Sequence, residues 1–250
     1  MIVGRGIFSW KVANFLANCT PLLPATDGRV PVRDTPLAVG YNPRDTLPEV
    51  FMPDISLFDA INAQRAIRYF KATPIANDIL DQILSAALRA PSGGNSQPWA
   101  FVAVRDADLK RQLAVWYKDY WDNVYSMRAD RQDSPVSRSA KHLVNTFADV
   151  PVVIIPCIRG GKGSSRDTLT TGASIYPAAQ NLMLAALGVG VGSVITTFLQ
   201  NHEDEVKALL GIPDDYQTAC AIPMGYPSGE ETFGGSRRRP LEEVVHYDRW

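Results

Sequence analysis

The sequence lacks the features that mark several classes of protein. Its cysteines, Cys19, Cys157 and Cys220, are scattered without a CxxC pair, and its three histidines are equally dispersed. These spacings exclude a disulfide framework and a metal site assembled from sequence neighbours. No run of 18 apolar residues occurs, so we predict no membrane span. The formal charge of −1 provides no net basic field for a nucleic acid or an anionic membrane.

What remains is the composition of a globular protein. The chain has 250 residues, of which 46% are hydrophobic and 20% charged. A chain of this length buries a core without disulfide or zinc staples. Cys157 and Cys220 lie in apolar runs typical of buried thiols, which suit a reducing compartment, and we therefore expect a cytoplasmic protein.

Residues 1–51 differ from the rest of the chain. Prolines recur between Pro21 and Pro53 with little apolar periodicity, which predicts an extended, poorly ordered arm or linker. A signal peptide is an alternative interpretation, but Lys11 interrupts the semi-apolar stretch and no small-residue cleavage site follows. A start codon assigned too early, with Met52 as the true start, is another. We predict an N-terminal extension over 1–51 and a folded domain over 52–250.

Helical and strand patterns interleave unevenly after Met52, which predicts an α+β sandwich with one mixed sheet. A weak capping box at Ser56 opens the first helix, and Gly211 ends the last. Helices are predicted from Ser56, from Asp78 to Ala87, over most of 108–149, over 174–187 and from Asn201 to Leu210; strands are predicted at Trp99–Arg105, Val152–Ile158, Val191–Thr196 and Ala219–Tyr226.

The densest polar signal is the segment Ala90–Trp99, between a helix and a strand. Two prolines stiffen it and two glycines permit a close approach of the backbone. Ser92, Asn95 and Gln97 present hydroxyl and amide groups, which suit the edge of a heteroaromatic ring. The alternative is a tight connection whose side chains satisfy their own backbone.

Two arginine groups form the second signal. Arg65 and Arg68 are three residues apart, and paired guanidinium groups neutralise a phosphate dianion well. Arg237, Arg238 and Arg239 form a run near the C-terminus. The alternative for both groups is solvated surface charge.

Side-chain catalysts are missing from the sequence. The glycine-rich segment 159–165 lacks the P-loop spacing, and Gly188–Gly192 leads from helix into strand, the reverse of a dinucleotide fingerprint. No GxSxG elbow and no Ser, His and Asp set suggests a nucleophile. We therefore predict no catalytic side chain and no metal, but a reaction carried by a cofactor.

Together these segments resemble the FMN-dependent nitroreductase family in order and spacing. The resemblance covers about residues 54–250. It implies a sandwich whose central mixed, mostly antiparallel sheet is flanked by helices, and a homodimer with FMN at its interface and each C-terminal tail wrapped around the partner. The segments that carry it are Gln64–Phe70, Ala90–Trp99, Pro177–Gly192, Ile222–Pro227 and Arg237–Glu243.

The resemblance also implies roles for the arginines. Arg65, Arg68 and Arg238 would hold the phosphate and the pyrimidine side of the flavin, and Arg237 or Arg239 would share the phosphate. Many members have two basic residues followed by serine at the positions of Gln64, Arg65 and Ala66. One cation and one hydroxyl of the family pattern are therefore absent from this chain, at Gln64 and Ala66.

The resemblance also implies flavin-binding roles for the polar loop and for a later segment. Asn95 would bond the pyrimidine edge, and Ser92 and Gln97 would hold the ribityl region or the loop itself. Thr196 and Thr197 occupy the segment whose backbone passes the flavin ring near N5.

The function implied is reduction of FMN by NADH or NADPH, followed by transfer to a nitroaromatic, a quinone or a similar electron-poor acceptor at the same site. One shared site predicts ping-pong kinetics. The alternatives are a flavin carrier without turnover, a dehalogenase or dehydrogenase on the same scaffold, and a structural protein whose arginines are surface charge. Aromatic residues between 116 and 125 form a lid over the flavin or pack a helix.

Overall fold

The computed structural model describes residues 55–126, 134–160, 168–229 and 231–250, so the predicted arm over 1–51 lies outside the described residues. Within these ranges, none of the helices combines the length and apolarity that a bilayer crossing requires. The helices are α1 (Leu57–Ala63), α2 (Asn77–Ala87), α3 (Ala107–Tyr120), α4 (Pro135–Thr146), α5 (Thr168–Gly188) and α6 (Glu203–Leu210); the strands are β1 (Trp99–Val104), β2 (Val152–Arg159), β3 (Gly192–Ser193), β4 (Tyr216–Thr218) and β5 (Ile222–Gly225).

One sheet organises the domain. Its strand order is β1-β2-β5-β3, with β4 also pairing with β2, and each of these pairings is antiparallel. Strand β2 is paired with β1 from Trp99↔Ile158 to Val104↔Val153. The predicted α+β sandwich with a mostly antiparallel sheet is confirmed.

Two hydrophobic clusters cover the two faces of this sheet. Val152 and Ile154 of β2 belong to the first cluster, together with side chains of α2 and α5. Val153 and Ile155 belong to the second, together with side chains of α3 and α4. Successive residues of a strand point to opposite faces, so β2 supplies both layers.

The helix boundary signals at Ser56 and Gly211 are confirmed. The Ser56 hydroxyl accepts from the Asp59 backbone N–H at 3.1 Å and donates to the Asp59 carboxylate at 2.6 Å. At the end of α6, Gly211 adopts the left-handed conformation (φ 66°) that closes a helix at low steric cost.

The prediction that residues 108–149 are mainly helical is confirmed for the described part of that region. Helix α3 ends at Tyr120 in a π-helical turn, and α4 begins at Pro135 with the Ser134 hydroxyl as its cap. The predicted start of the next helix is wrong. Helix α5 begins at Thr168 rather than at residue 174.

The second half of the sheet also differs from the prediction. The strand predicted over 191–196 is reduced to β3, followed by an isolated bridge between Thr196 and Ala221. A 3₁₀ turn over Phe198–His202 replaces the cap predicted at Asn201. Strand β4 was not predicted, because three residues are too few to display a period.

Candidate functional site

The segment that carries Arg65 and Arg68 is held beside the edge strand β3. Ile67 N–H donates to the Ser193 carbonyl at 3.0 Å, and Lys71 N–H donates to the Tyr226 carbonyl at 2.8 Å. Ser228 N–H donates to the Tyr69 carbonyl at 3.0 Å. The backbone of residues 67–71 is thus fixed on both sides by chain that follows α5.

Glycine at position 192 permits this close approach. A Cβ on Gly192 would lie 2.8 Å from Cγ2 and 2.9 Å from Cβ of Ile67. Ile67 is fully buried and its Cβ is rigidly attached to the backbone, so the Ile67 side chain cannot easily move to make room for an added Cβ. Because Ile67 is held in place beside β3, the backbone positions of the nearby Arg65 and Arg68 are also restricted.

Arg68 has a fixed backbone and a guanidinium with spare donors. Its N–H donates to the Glu231 carboxylate, and its Nη1 donates to the Ser139 hydroxyl of α4 at 3.3 Å. Ser139 is buried, and its hydroxyl donates to the Val136 carbonyl at 3.2 Å. A guanidinium has five N–H donors, so within the described residues most of those on Arg68 remain available for a ligand.

Thr196 follows β3, the strand against which the Arg68 segment is held. Its backbone forms a closed pair with Ala221, in which Thr196 N–H donates at 2.9 Å and Ala221 N–H donates back at 2.8 Å. Thr197 is exposed at the start of the following 3₁₀ turn. The paired backbone leaves the half-buried Thr196 side chain with little positional freedom.

Tyr117 of α3 connects Thr196 and Arg68. Burial raises the pKa of the Tyr117 phenol, while a hydrogen bond with the Thr196 side chain and the positive charge of Arg68 oppose that rise. The Tyr117 ring stacks on Phe198 with centroids 4.4 Å apart and meets Phe147 edge-on at 5.2 Å. Two of the residues that the sequence assigns to the flavin, Thr196 and Arg68, therefore influence the pKa of one buried phenol.

The polar loop is tightly turned and holds itself together. Asn95 (φ 54°) and Gln97 (φ 46°) are non-glycine residues in the left-handed region. Gln97 N–H donates to the Ser92 hydroxyl at 3.0 Å, and Gln97 Nε2 donates to Asn95 Oδ1 at 3.4 Å. These bonds agree with the interpretation of a self-satisfied connection, yet Asn95 and Gln97 remain exposed. Strained backbone of this kind concentrates at functional sites.

The loop and the arginine segment are not joined in the described chain. Among the residues described, no hydrogen bond or ion pair links the 92–97 loop to Arg65, Arg68 or Thr196. Ser92, Asn95 and Gln97 therefore form a group that is separate from the arginine segment within one described chain.

The C-terminal arginines leave the domain close to the first arginine segment. Gly234 N–H donates to the Ala63 carbonyl at 3.0 Å, two residues before Arg65 and three before Arg237. Arg237, Arg238 and Arg239 are exposed, and Arg238 Nη1 donates to the Arg237 carbonyl at 3.3 Å. Three residues span about 10 Å, so the backbones of the two groups are near neighbours.

The sequence did not single out Tyr117, Ser139 and Glu231 as neighbours of the site. Tyr117 belongs to the aromatic cluster over 116–125, and its ring contacts with Phe147 and Phe198 favour packing over a lid at this position. Ser139 and Glu231 carry no local pattern, because their role depends on tertiary contacts with Arg68.

The glycine-rich segment 159–165, which lacks the P-loop spacing, falls mostly outside the described residues. Arg159, at its start, pairs with Asp215 at 3.3 Å and lies 5.2 Å from the centroid of the Tyr216 ring. Across the described ranges, His, Cys, Asp and Glu side chains form no group of three that could hold a metal ion.

Comparison with known proteins identifies the family. The model of the Nitroreductase family matches residues 61–226, which span the arginine segment, the polar loop and all five strands. The chain belongs to the nitroreductase family, a family of oxidoreductases, and the resemblance found in the sequence is confirmed.

Relatives within this family have diverged in activity. The chain is 30% identical over 214 residues to an NADH dehydrogenase of Thermus thermophilus, covering 79% of this chain and 98% of that protein. It is 25% identical over 203 residues to iodotyrosine deiodinase 1 of Rattus norvegicus, covering 79% and 71%. A crystal structure of oxidised iodotyrosine deiodinase bound to FMN and 3-iodo-L-tyrosine shares the fold, with a TM-score of 0.61, 24% identity, and coverage of 78% of this chain and all of that one.

Proposed function

We propose that the protein is an FMN-dependent oxidoreductase that takes a hydride from NADH or NADPH and reduces a nitroaromatic, a quinone or a similar electron-poor acceptor. The observation that carries this proposal is the placement of Arg68, whose backbone is held beside β3 and whose guanidinium keeps spare donors. Family membership and an FMN-bound relative support the choice of cofactor.

The residues present suit FMN. Arg65, Arg68, Arg237 and Arg238 supply positive charge for a phosphate, and Arg239 is a further candidate. The Glu231 carboxylate accepts from the Arg68 backbone N–H. The donors therefore match an anionic, hydrogen-bonding cofactor.

The remaining contacts would come from two loops. The exposed amides of Asn95 and Gln97 and the hydroxyl of Ser92 would hold the pyrimidine edge and the ribityl chain. Ala66, Thr196 and Thr197 would approach the ring through backbone and hydroxyl groups. Loop and threonine segment together offer the mixture of donors and acceptors that a flavin edge requires.

FMN, when bound, supplies the redox chemistry, and the protein supplies orientation and charge. Arg68 would supply positive charge to offset the negative charge that reduction places on the pyrimidine side of the ring. Nicotinamide and acceptor use one site in turn, which gives ping-pong kinetics with parallel double-reciprocal lines.

We further propose a homodimer in which the polar loop of one chain completes the arginine site of its partner. The loop makes no bond to Arg68 within the described chain, and α1 exposes Leu57 and Phe58 at 66% and 75%. In the tail, Trp250 is fully exposed, as expected of a segment that packs on a second copy. Mixed Arg68→Gln and Asn95→Ala chains should regain activity, since one site of each mixed dimer is intact; no gain after subunit exchange would exclude the shared site.

The test of function starts from purified protein reconstituted with FMN. We expect a yellow protein that NADH or NADPH bleaches anaerobically. Arg68→Gln should weaken FMN binding by about 10- to 100-fold, because a charge-assisted contact is worth about 1.5–3 kcal/mol. Arg111→Gln is the matched control, since Arg111 pairs with the exposed Asp108 on α3.

The outcomes separate the alternatives. A yellow protein that neither nicotinamide bleaches supports a flavin carrier. A colourless protein that ignores added FMN supports a structural role and contradicts the proposal.

A second candidate reaction is reductive dehalogenation on the same scaffold, favoured by the relatives that act as iodotyrosine deiodinases. The discriminating measurement is anaerobic incubation of dithionite-reduced protein with 3-iodotyrosine, in parallel with a nitroaromatic. Release of iodide without nitro reduction would favour the deiodinase.

The cytoplasm remains the proposed location. Cys157 and Cys220 are buried free thiols, a state that a reducing compartment maintains.

A further inference from the structure

The Arg68 backbone is held by hydrogen bonds, but these do not orient its side chain. Ile67 N–H donates to the Ser193 carbonyl at 3.0 Å, and Arg68 N–H donates to the Glu231 carboxylate. An arginine side chain rotates about several torsions, so a fixed backbone alone leaves the guanidinium free to occupy many positions. A further contact is needed to aim the guanidinium at a ligand.

That further contact comes from Ser139 of α4. Arg68 Nη1 donates to the Ser139 hydroxyl oxygen at 3.3 Å, and the Ser139 hydroxyl donates to the Val136 carbonyl at 3.2 Å. A guanidinium has donors only, and the one proton of the serine is used on Val136, so the direction of each hydrogen bond is determined. Ser139 is 7% exposed and lies within a regular helix, so its oxygen is a fixed acceptor.

The next turn of α4 contacts the same segment of the chain. His142 lies three residues after Ser139, on the same helix face, and its ring stacks on that of Tyr69 with centroids 3.9 Å apart and planes inclined by 13°. Two consecutive turns of α4 therefore contact two consecutive residues, Arg68 and Tyr69. This second contact restrains the position of the Ser139 oxygen relative to the Arg68 backbone.

The chemistry of the acceptor matters as well as its position. A buried carboxylate at residue 139 would hold a guanidinium more strongly, but its negative charge would cancel the charge that attracts an anionic ligand. A serine oxygen is neutral, so it orients Arg68 and leaves the positive charge intact.

We infer that Ser139 is a positioning residue, which orients the Arg68 guanidinium toward the pyrimidine side of FMN without neutralising it. This role rests on the proposed function, because it requires FMN beside Arg68. Ser139 acts through Arg68 and takes no part in proton or hydride transfer. An arginine that is oriented in advance loses less side-chain entropy when the cofactor binds.

Removal of the acceptor tests this role. Ser139→Ala should weaken FMN binding by about 2- to 12-fold, the effect of having to immobilise one rotamer-rich side chain on binding. The midpoint potential of bound FMN should become more negative, because Arg68 then offsets less of the charge on the reduced flavin. Ser139→Thr keeps the hydroxyl and should retain most of the wild-type affinity and potential. Titrations with FMN and with redox dyes measure the two quantities.

A double-mutant cycle separates positioning from a structural effect. Arg68→Met keeps a long side chain and removes every donor. If Ser139 acts through Arg68, adding Ser139→Ala to Arg68→Met should change neither the FMN affinity nor the potential further. If Ser139 only supports α4, the second substitution should weaken binding by the same factor in both backgrounds.

Ser137→Ala is the matched control, because it makes the same change two residues earlier on α4, and residues two apart do not share a helix face. It should leave FMN affinity and potential unchanged. The free energy of unfolding of each FMN-free variant, measured in denaturant, reports any cost to the fold.

Two results would overturn the role of Ser139 alone: a Ser139→Ala protein with wild-type affinity and potential, or fully additive effects in the double variant. A wild-type protein that binds no FMN would overturn the proposed function as well, so the two failures are distinguishable.

Discussion

Gly192 and Ile67 show how one residue can set the position of a distant functional side chain. The backbone at 192 lies so close to Ile67 that any Cβ would overlap it, at 2.8 Å from Cγ2. Ile67 is flanked in sequence by Ala66 and Arg68, so displacing it moves the guanidinium. At the residue scale, the site therefore depends on a glycine that contributes no chemical group.

We predict that Gly192→Ala lowers the free energy of unfolding by about 1–3 kcal/mol, the usual cost of overpacking a core. Binding of FMN should weaken as well, because the Arg68 segment must shift. Gly188→Ala is the matched control, since its Cβ would meet no atom within 4 Å. Denaturant unfolding and FMN titration of both variants provide the check, and equal unfolding midpoints would show that the overlap is absorbed without cost.

At the scale of elements, the helix starts depend on specific side-chain caps. The Asp106 carboxylate at the start of α3 accepts from the backbone N–H groups of Asp108 and Leu109, both at 2.9 Å. Helix α3 carries Tyr117 about three turns after this cap, so the cap stabilises the element that positions the phenol.

Asp106→Ala should cost about 1 kcal/mol of unfolding free energy, because two N–H groups lose their acceptor. Asp106→Asn should restore most of it, since an amide oxygen caps nearly as well. Thermal or denaturant unfolding of the two variants measures the difference. If both lose the same stability, the negative charge at the helix N-terminus is responsible rather than the hydrogen bonds.

Elements with a long, regular apolar pattern could be predicted from the sequence. Helix α2 repeats apolar residues at helical spacing, and Leu80, Ile83 and Ala87 are buried as that spacing requires. Strand β2 was predicted from a continuous apolar run. Strand β4 was not, because a segment of three residues owes its conformation to neighbouring strands rather than to its own pattern. The strand predicted over 191–196 was too long for the same reason, since only the two residues of β3 pair as a strand.

The candidate site was predictable in its parts and not in its arrangement. Arg68 and Thr196 were assigned through resemblance to a family. Tyr117 was visible only as one member of an aromatic cluster, because its ring contacts with Phe147 and Phe198 join residues that are distant in sequence. Contacts of this kind follow from the sheet topology, which local patterns do not encode.

At the scale of the whole molecule, two buried thiols report on the integrity of the core. Burial raises the pKa of both Cys157 and Cys220 from 9.0 to about 12, with the charge of Glu203 adding to the effect on Cys157. The two cysteines lie in different hydrophobic clusters, on opposite faces of the sheet. Their reactivity therefore depends on opening of the folded domain.

In a Cys19→Ser background, we predict that neither thiol reacts with a disulfide reagent at pH 8 on the timescale of minutes, and that both react in denaturant. The thiolate fraction is about a thousandfold below that of an unshifted thiol, and access is blocked. Stability should be insensitive to these groups below pH 9 and should fall as pH rises from 9 toward 12. In that window the unfolded chain releases protons that the folded chain retains. Stoichiometric labelling of the native protein would contradict the assignment.

The alternation along β2 also limits how this fold can change during evolution. Val152 and Ile154 serve one layer of the sandwich, while Val153 and Ile155 serve the other. A codon gained or lost within this strand would send every later side chain to the wrong layer, and both layers would be damaged at once. Insertions and deletions among descendants of this chain should therefore accumulate in connecting loops and spare residues 152–158.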